Sequence, residues 1–404
     1  MAKVKIQGHA SGTGILTVTA PNTSTDRTIT LPDSTGTLVE TSTTDALTTR
    51  VNGAGGRKNM IINGAMNVAQ RATSSTGITV GGYDTVDRFI TEITTLGTWS
   101  ISQSTDAPDG FAYSLFHDCT TADASPASGD VFRMSYRFEG QDLQHLQKGT
   151  SSAKSCTVSF WIKSNKTGTG QFNIRDIDNT RGINKTYTIN SADTWEYKTI
   201  TIQGDTTGAI SNDNGSSFWL MWLFNSGTNN SSGTFNSDWH AWDWTDINAS
   251  GTLDIGASTS DYVKITGVQL ELGSTATDFE HRSYGEELAL CQRYYEKSFN
   301  QGTAVGTATA VGSIYTGVND GSNTTGYLGG THSFRVSKRT NPTLVVYDTA
   351  GNSGKCQRDN FGTNNSTNQD CTIGNSSESM FLVYSSGTHS ASTLVYHFTA
   401  DAEL

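Results

Sequence analysis

The sequence predicts an all-β protein with a central jelly-roll-like β-sandwich, and two observations carry that expectation. Hydrophobic residues make up 34% of the 404 and charged residues 16%, both below the share usual in soluble globular chains. Gly, Ser, Thr and Asn fill the difference, residues that favour turns and hydrated β surface. Apolar side chains also recur every second residue along much of the chain, and only one stretch has a convincing helical period. Length calls for more than one core. Four units are predicted: a β segment over 1–57, a sandwich over 58–283, a linking helix over 284–298 and a C-terminal β-sandwich or knob over 299–404.

Taken in order, Ile15–Thr19 and Arg27–Leu31 are short β patterns separated by the turn-rich Pro21-Asn22-Thr23-Ser24. They hold too few apolar side chains for a core of their own, so the segment must dock or pair with copies of itself. A short helix follows from Thr44, with Leu47 and Val51 one turn apart. Alone it is unstable, but three parallel copies would bury its seam. Asn52-Gly53 ends it, and Ala54-Gly55-Gly56 reads as a hinge.

In the sandwich, Val131–Phe138 puts Phe132, Met134, Tyr136 and Phe138 on one face, and Cys156–Ile162 does the same through Cys156, Val158, Phe160 and Ile162. Further strands are expected at Phe172–Ile177, Trp195–Ile202 and Phe218–Phe224. The last is apolar on both faces, as a strand covered on both sides would be. In Tyr262–Leu272 the apolar phase shifts at Gly267, which predicts a β-bulge there. Such strands with polar turns indicate a jelly-roll sandwich. The helix is read over Gly285–Lys297, with Glu at its start and Lys at its end suiting the dipole. Its Leu288, Cys291 and Tyr295 side is expected to pack. Beyond it, strands are expected at Ser333–Val336, Leu344–Tyr347, Met380–Tyr384 and Thr393–Phe398, with loops at Asn319–Gly326 and Asp359–Gln369.

Charge and motifs exclude several functions. The net charge is −11, from 27 basic and 38 acidic residues, with no dense Lys/Arg run. That argues against a nucleic-acid or anionic-membrane partner. The start lacks an apolar stretch of signal-peptide length, and the longest apolar run, Phe218–Phe224, is too short to cross a bilayer. Assembly in a cytoplasm is therefore expected. Five cysteines form no CxxC pair, which speaks against structural zinc; Cys356 and Cys371 could bridge a late hairpin, but free thiols are the better reading for a chain assembled in a cytoplasm. No nucleophile elbow, zinc-protease helix or phosphate-binding loop occurs, so no catalytic residues are assigned and no enzyme or cofactor is expected. Carboxylate pairs for glycoside cleavage depend on a spatial separation that sequence does not show.

Two stretches carry a family resemblance. Gly14–Leu38, with Thr-Val-Thr-Ala-Pro-Asn-Thr and Arg-Thr-Ile-Thr-Leu-Pro-Asp, resembles the N-terminal segment of tail-fibre and structural proteins of marine and cyanobacterial phages. Lys58–Arg71, Tyr83–Phe89, Val268–Glu280 and the Cys291-Gln292-Arg293-Tyr294-Tyr295 run together resemble phage tail-fibre modules with a carbohydrate-binding-module-like jelly roll. The matches frame residues 14–298. The resemblance implies a virion tail-fibre protein, usually a homotrimer, assembled in the host cytoplasm and attached by its N-terminus to a tail, baseplate or adaptor protein. On this chain the attachment residues would be Ile15, Val18, Ile29 and Leu31.

Host recognition is then the leading reading, with a surface polysaccharide or outer-membrane receptor as partner. A polysaccharide depolymerase and a purely structural connector are its rivals. Two aromatic groups are candidate receptor sites, because Trp and Tyr offer flat apolar area and one polar tip at low entropy cost. Tyr315, Tyr327 and Tyr384 lie in the loop-rich C-terminal unit, read as a distal tip. Trp239, Trp242 and Trp244 lie in one run, with Trp242 and Trp244 expected on one strand face and Asp243 opposite. The structural alternative is that these rings simply cover the sandwich or a subunit contact. Asp176, Asp178 and Asn179, and separately Asp243 and Asp246, are calcium candidates by residue type but follow no calcium-loop pattern, and solvated turns are the better reading.

Overall fold

The computed structural model describes residues 57–316, 324–359, 366–389 and 393–404. The expected N-terminal strands and short helix, and with them Ile15, Val18, Ile29 and Leu31, lie outside the described residues.

The chain is all-β with one α-helix among the described residues. The first eleven strands are β1 (Ser74–Gly82), β2 (Phe89–Ser104), β3 (Ser114–Thr121), β4 (Val131–Glu139), β5 (Cys156–Ser164), β6 (Gly168–Asp176), β7 (Arg181–Ile189), β8 (Glu196–Ile202), β9 (Ser216–Ser226), β10 (His240–Ala241) and β11 (Tyr262–Leu272). They form one antiparallel sheet in the order β10-β7-β6-β9-β4-β2-β3-β11-β5-β8, with β1 added to β2. The sheet folds on itself at β2. Residues 89–94 of β2 pair with β4, while residues 98–104 pair with β3. Between them Thr95 and Gly97 take left-handed φ values of 49° and 71°, the conformation a sharp bend needs.

Two layers result, and rings from each meet in the core. Trp99 stacks on Phe132 with centroids 3.9 Å apart, and Phe160 of β5 meets Trp222 of β9 edge-on at 5.7 Å. Each such fully buried side chain stabilises the fold by about 1.5–3 kcal/mol. The alternating sets at 132–138 and 156–162 are all buried, as expected. Strand β9 is covered on both sides. Phe218, Leu220, Trp222 and Phe224 enter the main core, while Trp219, Met221 and Leu223 pack outward with Val131 and Ile247. The predicted bulge is present in β11: pairing with β5 slips between Thr266 and Gln269, with Gly267 at φ 63°. It lets Val263, Ile265, Val268 and Leu270 all reach the core.

Helix α1 (Tyr284–Gln292) begins at an N-cap, Ser283, whose side chain accepts from the Glu286 amide. It is shorter than the sequence suggested, because Tyr295–Lys297 forms strand β12 against Asp401, Ala400 and Thr399. Local helical preference yields here to sheet pairing. Lys297 accordingly donates to the carbonyls of Gln301 and Thr303 instead of closing a helix. Cys291 and Tyr295 are buried as expected, but Leu288 is only half-buried. Glu287 is buried in its stead, accepting from the Asn63 amide at 2.5 Å and pairing with Arg282 at 3.3 Å.

The remaining strands are β13 (Ile314–Thr316), β14 (Thr324–Ser333), β15 (Thr343–Tyr347), β16 (Lys355–Asp359), β17 (Ser366–Asp370), β18 (Thr372–Ser376), β19 (Met380–His389) and β20 (Thr393–Asp401). Strand β20 pairs with β12, β13, β15 and β16, and β17 extends β16; β14, β19 and β18 make a separate three-stranded sheet. Phe381, Val383, Leu394, Tyr396 and Phe398 belong to the core of this part. The strand expected at Ser333–Val336 instead ends at Ser333, where the Arg335 amide turns to the buried Glu296 carboxylate. The loop expected up to Gly326 gives way to β14 at Thr324, and the one expected through Gln369 gives way to β17 at Ser366. Cys356 and Cys371 are brought together as unbridged thiols in hydrogen-bonding contact.

The C-terminal strands are bound to the sandwich by charge. Arg293 grips Glu139 through two bonds of 2.7 and 2.6 Å, and the Tyr294 hydroxyl donates to the same carboxylate. Arg71 pairs with Asp401 at 2.8 Å, and the fully buried Arg88 pairs with Glu403 beneath the Tyr294 ring.

Candidate functional site

Strands β14 and β19 pair so that Gly329 faces Tyr384 and Tyr327 faces Ser386. Tyr327 and Tyr384 therefore stand on one side of the sheet as diagonal neighbours, with ring centroids 5.1 Å apart and planes at 88°. The other side carries Leu328, Phe381 and Val383 into the core, which leaves the tyrosine side facing outward. Tyr327 is 79% exposed. Strand β18 completes the surface, with Thr372 opposite Tyr384. Gly374 packs under Leu382 and the edge of the Tyr384 ring, since a Cβ there would stand 2.9 Å from Leu382 Cδ2 and 3.3 Å from Tyr384 Cε1. Exposed hydroxyls of Thr331, Thr372 and Ser386 border the two rings. Perpendicular rings with Leu382 on the same side of the strand and hydroxyls around them can take a sugar face and its OH groups together.

Tyr315 is not part of this arrangement. It lies on β13 opposite Val395, in another sheet, and is 58% exposed.

The tryptophan run also separates. Trp239 leans on the main core, its indole N–H donating to the Gln203 carbonyl at 2.7 Å and its ring 6.0 Å from Phe218. Trp242 and Trp244 do not share a strand face. The strand stops at Ala241, because the Asp243 side chain accepts from the Thr245 amide and caps a 3-10 turn over Trp244–Asp246. The turn sets the Trp242 and Trp244 rings perpendicular at 5.1 Å, with Trp219 of β9 5.8 Å from Trp244. Trp242 lies against Gly182, where any Cβ would collide with its ring.

Each calcium-candidate carboxylate gives at least one oxygen to a protein donor, although Asp246 Oδ1 is buried without a partner. Asp176 pairs with Lys148 at 2.6 Å and accepts from Asn179 at 2.9 Å. Asp178 accepts from the Ser211 amide and the Ser217 hydroxyl, and Asp246 from His240 at 2.7 Å.

One aromatic surface escaped the sequence reading. On the outer side of β5, β8 and β11, Trp161 and Tyr197 lie 5.3 Å apart, and Tyr262 meets Phe116 at 5.9 Å. Lys163 and Lys264 converge there on Asp106. Burial pushes the Asp106 carboxyl up, but hydrogen bonds from Lys264, Lys163 and Trp195 outweigh it and hold the group at about 2. The available signal was that Trp161, Lys163, Tyr262 and Lys264 occupy the strand positions opposite in parity to the core set. A groove of about 620 Å³ beside β1, lined by Val80, Ile93 and Thr98 among others, has no aromatic ring in its wall.

No protein family and no curated protein matches this chain by sequence. Among solved structures, the enzymatically active domain of tailspike protein 4 from bacteriophage CBA120 is 11% identical, aligned over 53% of this chain and 21% of that one, with a TM-score of 0.28. A putative sugar binding protein from Bacteroides thetaiotaomicron is 10% identical over 54% of this chain and all of that one, with a TM-score of 0.28. A family 11 carbohydrate-binding module from Clostridium thermocellum is 11% identical over 51% of this chain and 89% of that one, with a TM-score of 0.22.

Proposed function

We propose that this chain is a non-enzymatic tail-fibre adhesin of a bacteriophage that binds a host-surface glycan through the Tyr327–Tyr384 face. The carrying observation is that pair: two perpendicular rings, one of them 79% exposed, on the outward side of a sheet whose other side is core. A large aromatic left in water beside a ring of hydroxyls costs hydrophobic free energy that a sugar face would recover. Weak single-site binding is enough, because three copies per fibre multiply avidity. In this reading residues 1–57 attach the fibre to the tail and hold the trimer.

The test uses purified full-length protein on host cells. Binding should block phage adsorption, release no reducing ends from the host polysaccharide, and fall at least tenfold in Tyr384→Ala with the melting temperature unchanged. Light scattering should give three times the chain mass of 43.3 kDa. Sustained release of reducing ends would make it a depolymerase, and protein that neither binds cells nor blocks adsorption would make it a connector.

A further inference from the structure

The outer side of β4, β6 and β9 gathers three arginines around tryptophan rings. Arg137 and Arg175 both stand opposite Trp219 in the strand register. The guanidinium of Arg137 lies 4.5 Å from the Trp219 centroid, and that of Arg133 lies 4.8 Å from it. Arg175 sits among all three rings, 5.8 Å from Trp219, 5.5 Å from Trp242 and 5.0 Å from Trp244. Arg133 and Arg137 alternate along β4 while Arg175 comes from β6, so no basic run announces the cluster.

The charge here is not balanced. Glu92 serves both Arg133 and Arg137, the latter at 3.5 Å, and Arg137 also donates to the Leu404 carbonyl at 2.9 Å. Arg175 has no carboxylate partner among the described residues, and its Nε is buried without an acceptor. The indole N–H groups of Trp219 and Trp242 are likewise buried and unpartnered. Burial, followed by the neighbouring Arg133 and Arg137, lowers the Arg175 pKa, the direction expected where positive charge is crowded. Trp244, 38% exposed, gives the cluster an open aromatic edge.

A group that fits must bring an anion to Arg175 and a flat apolar face to Trp244. We infer that this surface binds an acidic sugar, its carboxylate or sulfate held by Arg175 and its ring against Trp244. Guanidinium is the donor suited to both anions, since its planar fork matches their oxygens. The chain's net charge of −11 opposes this only weakly, because at physiological salt charges beyond about 8 Å are largely screened. The surface lies on a different sheet from the Tyr327–Tyr384 face, and the inference stands even if that face binds nothing.

The experiment is calorimetry on the full-length protein with three probes: tetragalacturonate, its fully methyl-esterified counterpart, and a sulfated dextran oligomer. The expected result is that at least one charged probe binds tenfold or more tighter than the ester and weakens as salt rises. Which charged probe binds distinguishes carboxylate from sulfate. Arg175→Gln, which keeps amide donors but not the charge, should abolish that advantage, and Arg175→Lys should retain part of it. Trp244→Ala, at a half-exposed position, gives a second variant whose loss of binding does not hinge on Arg175. The charged probe's advantage over the ester should persist in Tyr384→Ala whatever that variant does to the affinities themselves, which separates this site from the tyrosine face. Equal binding of charged and esterified probes, or charge-dependent binding untouched by both Arg175→Gln and Trp244→Ala, overturns the inference.

Discussion

His117 projects from β3 into the main core, fully buried, with its ring 5.6 Å from Phe132 and Nε2 2.9 Å from the Thr91 hydroxyl. Burial lowers its pKa from 6.5 to about 3. The folded state therefore refuses a proton that the unfolded chain accepts below pH 6.5. The unfolded state binds more protons in the window from pH 6.5 down to about 3, so stability falls as pH falls through it. Between pH 6.5 and 5 the loss attributable to His117 is about 2 kcal/mol. Asp87 acts in the opposite sense: burial raises its carboxyl to about 6, so it favours the folded state on the acid side of that value. The two are separated by comparing wild type with His117→Gln in urea unfolding at pH 7 and pH 5. The variant should lose about 2 kcal/mol less than wild type on acidification, and equal losses would show that His117 takes up its proton without unfolding.

At the scale of elements, strand β11 shows what the sequence makes legible. Its apolar phase slips at Gly267, and the structure resolves the slip with a bulge at that residue. A side chain there meets two obstacles. A positive φ is strained for any L residue, and a Cβ would stand 2.8 Å from Phe111 Cζ and 3.0 Å from Trp161 Cδ1. Gly267→Ala should therefore cost about 2 kcal/mol, measured by chemical denaturation; a change below 0.5 kcal/mol would mean the bulge can move. Strands such as β4, β5 and β9 were readable for the same reason, since their core faces alternate without interruption. Strand β2 was not, because its bend at Thr95–Gly97 breaks the alternation midway. Strands β1 and β14 are rich in Gly, Ser and Thr and look like loop until their partners are known. The end of α1 was misread because what decides it, pairing of Tyr295 with Asp401, is more than a hundred residues away. The candidate sites divide likewise. Residue type pointed to Tyr327, Tyr384, Trp242 and Trp244, but the meeting of Arg133 and Arg137 of β4 with Arg175 of β6 is a product of register that no local pattern contains.

For the whole molecule, the C-terminal strands supply charges that the sandwich uses. Arg88 is fully buried with its guanidinium 3.4 Å from the Tyr294 ring centroid and 5.1 Å from that of Tyr136, and its carboxylate partner is Glu403. Arg71 depends on Asp401 and Glu403, and Arg137 on the Leu404 carbonyl. Strand β12 pairs with β20. A chain cut after residue 298 keeps every strand of the sandwich but leaves Arg88 buried without its counter-charge. Breaking a buried pair by removing one partner typically costs about 3–5 kcal/mol, so the truncated protein should melt well below the full chain. The same argument fixes the sign of a second substitution. Arg88→Met in the full chain leaves the buried Glu403 only its longer contact with Arg71, at 3.5 Å, and should destabilise by about 3 kcal/mol, whereas in the truncated chain it removes an unpaired buried charge and should be neutral or stabilising. This four-way comparison measures the coupling directly. If Arg88→Met costs the same in both chains, the pair contributes nothing to docking, and residues 299–404 are held to the sandwich by other contacts, among them Arg71–Asp401 and the Asn214–Arg339 bonds.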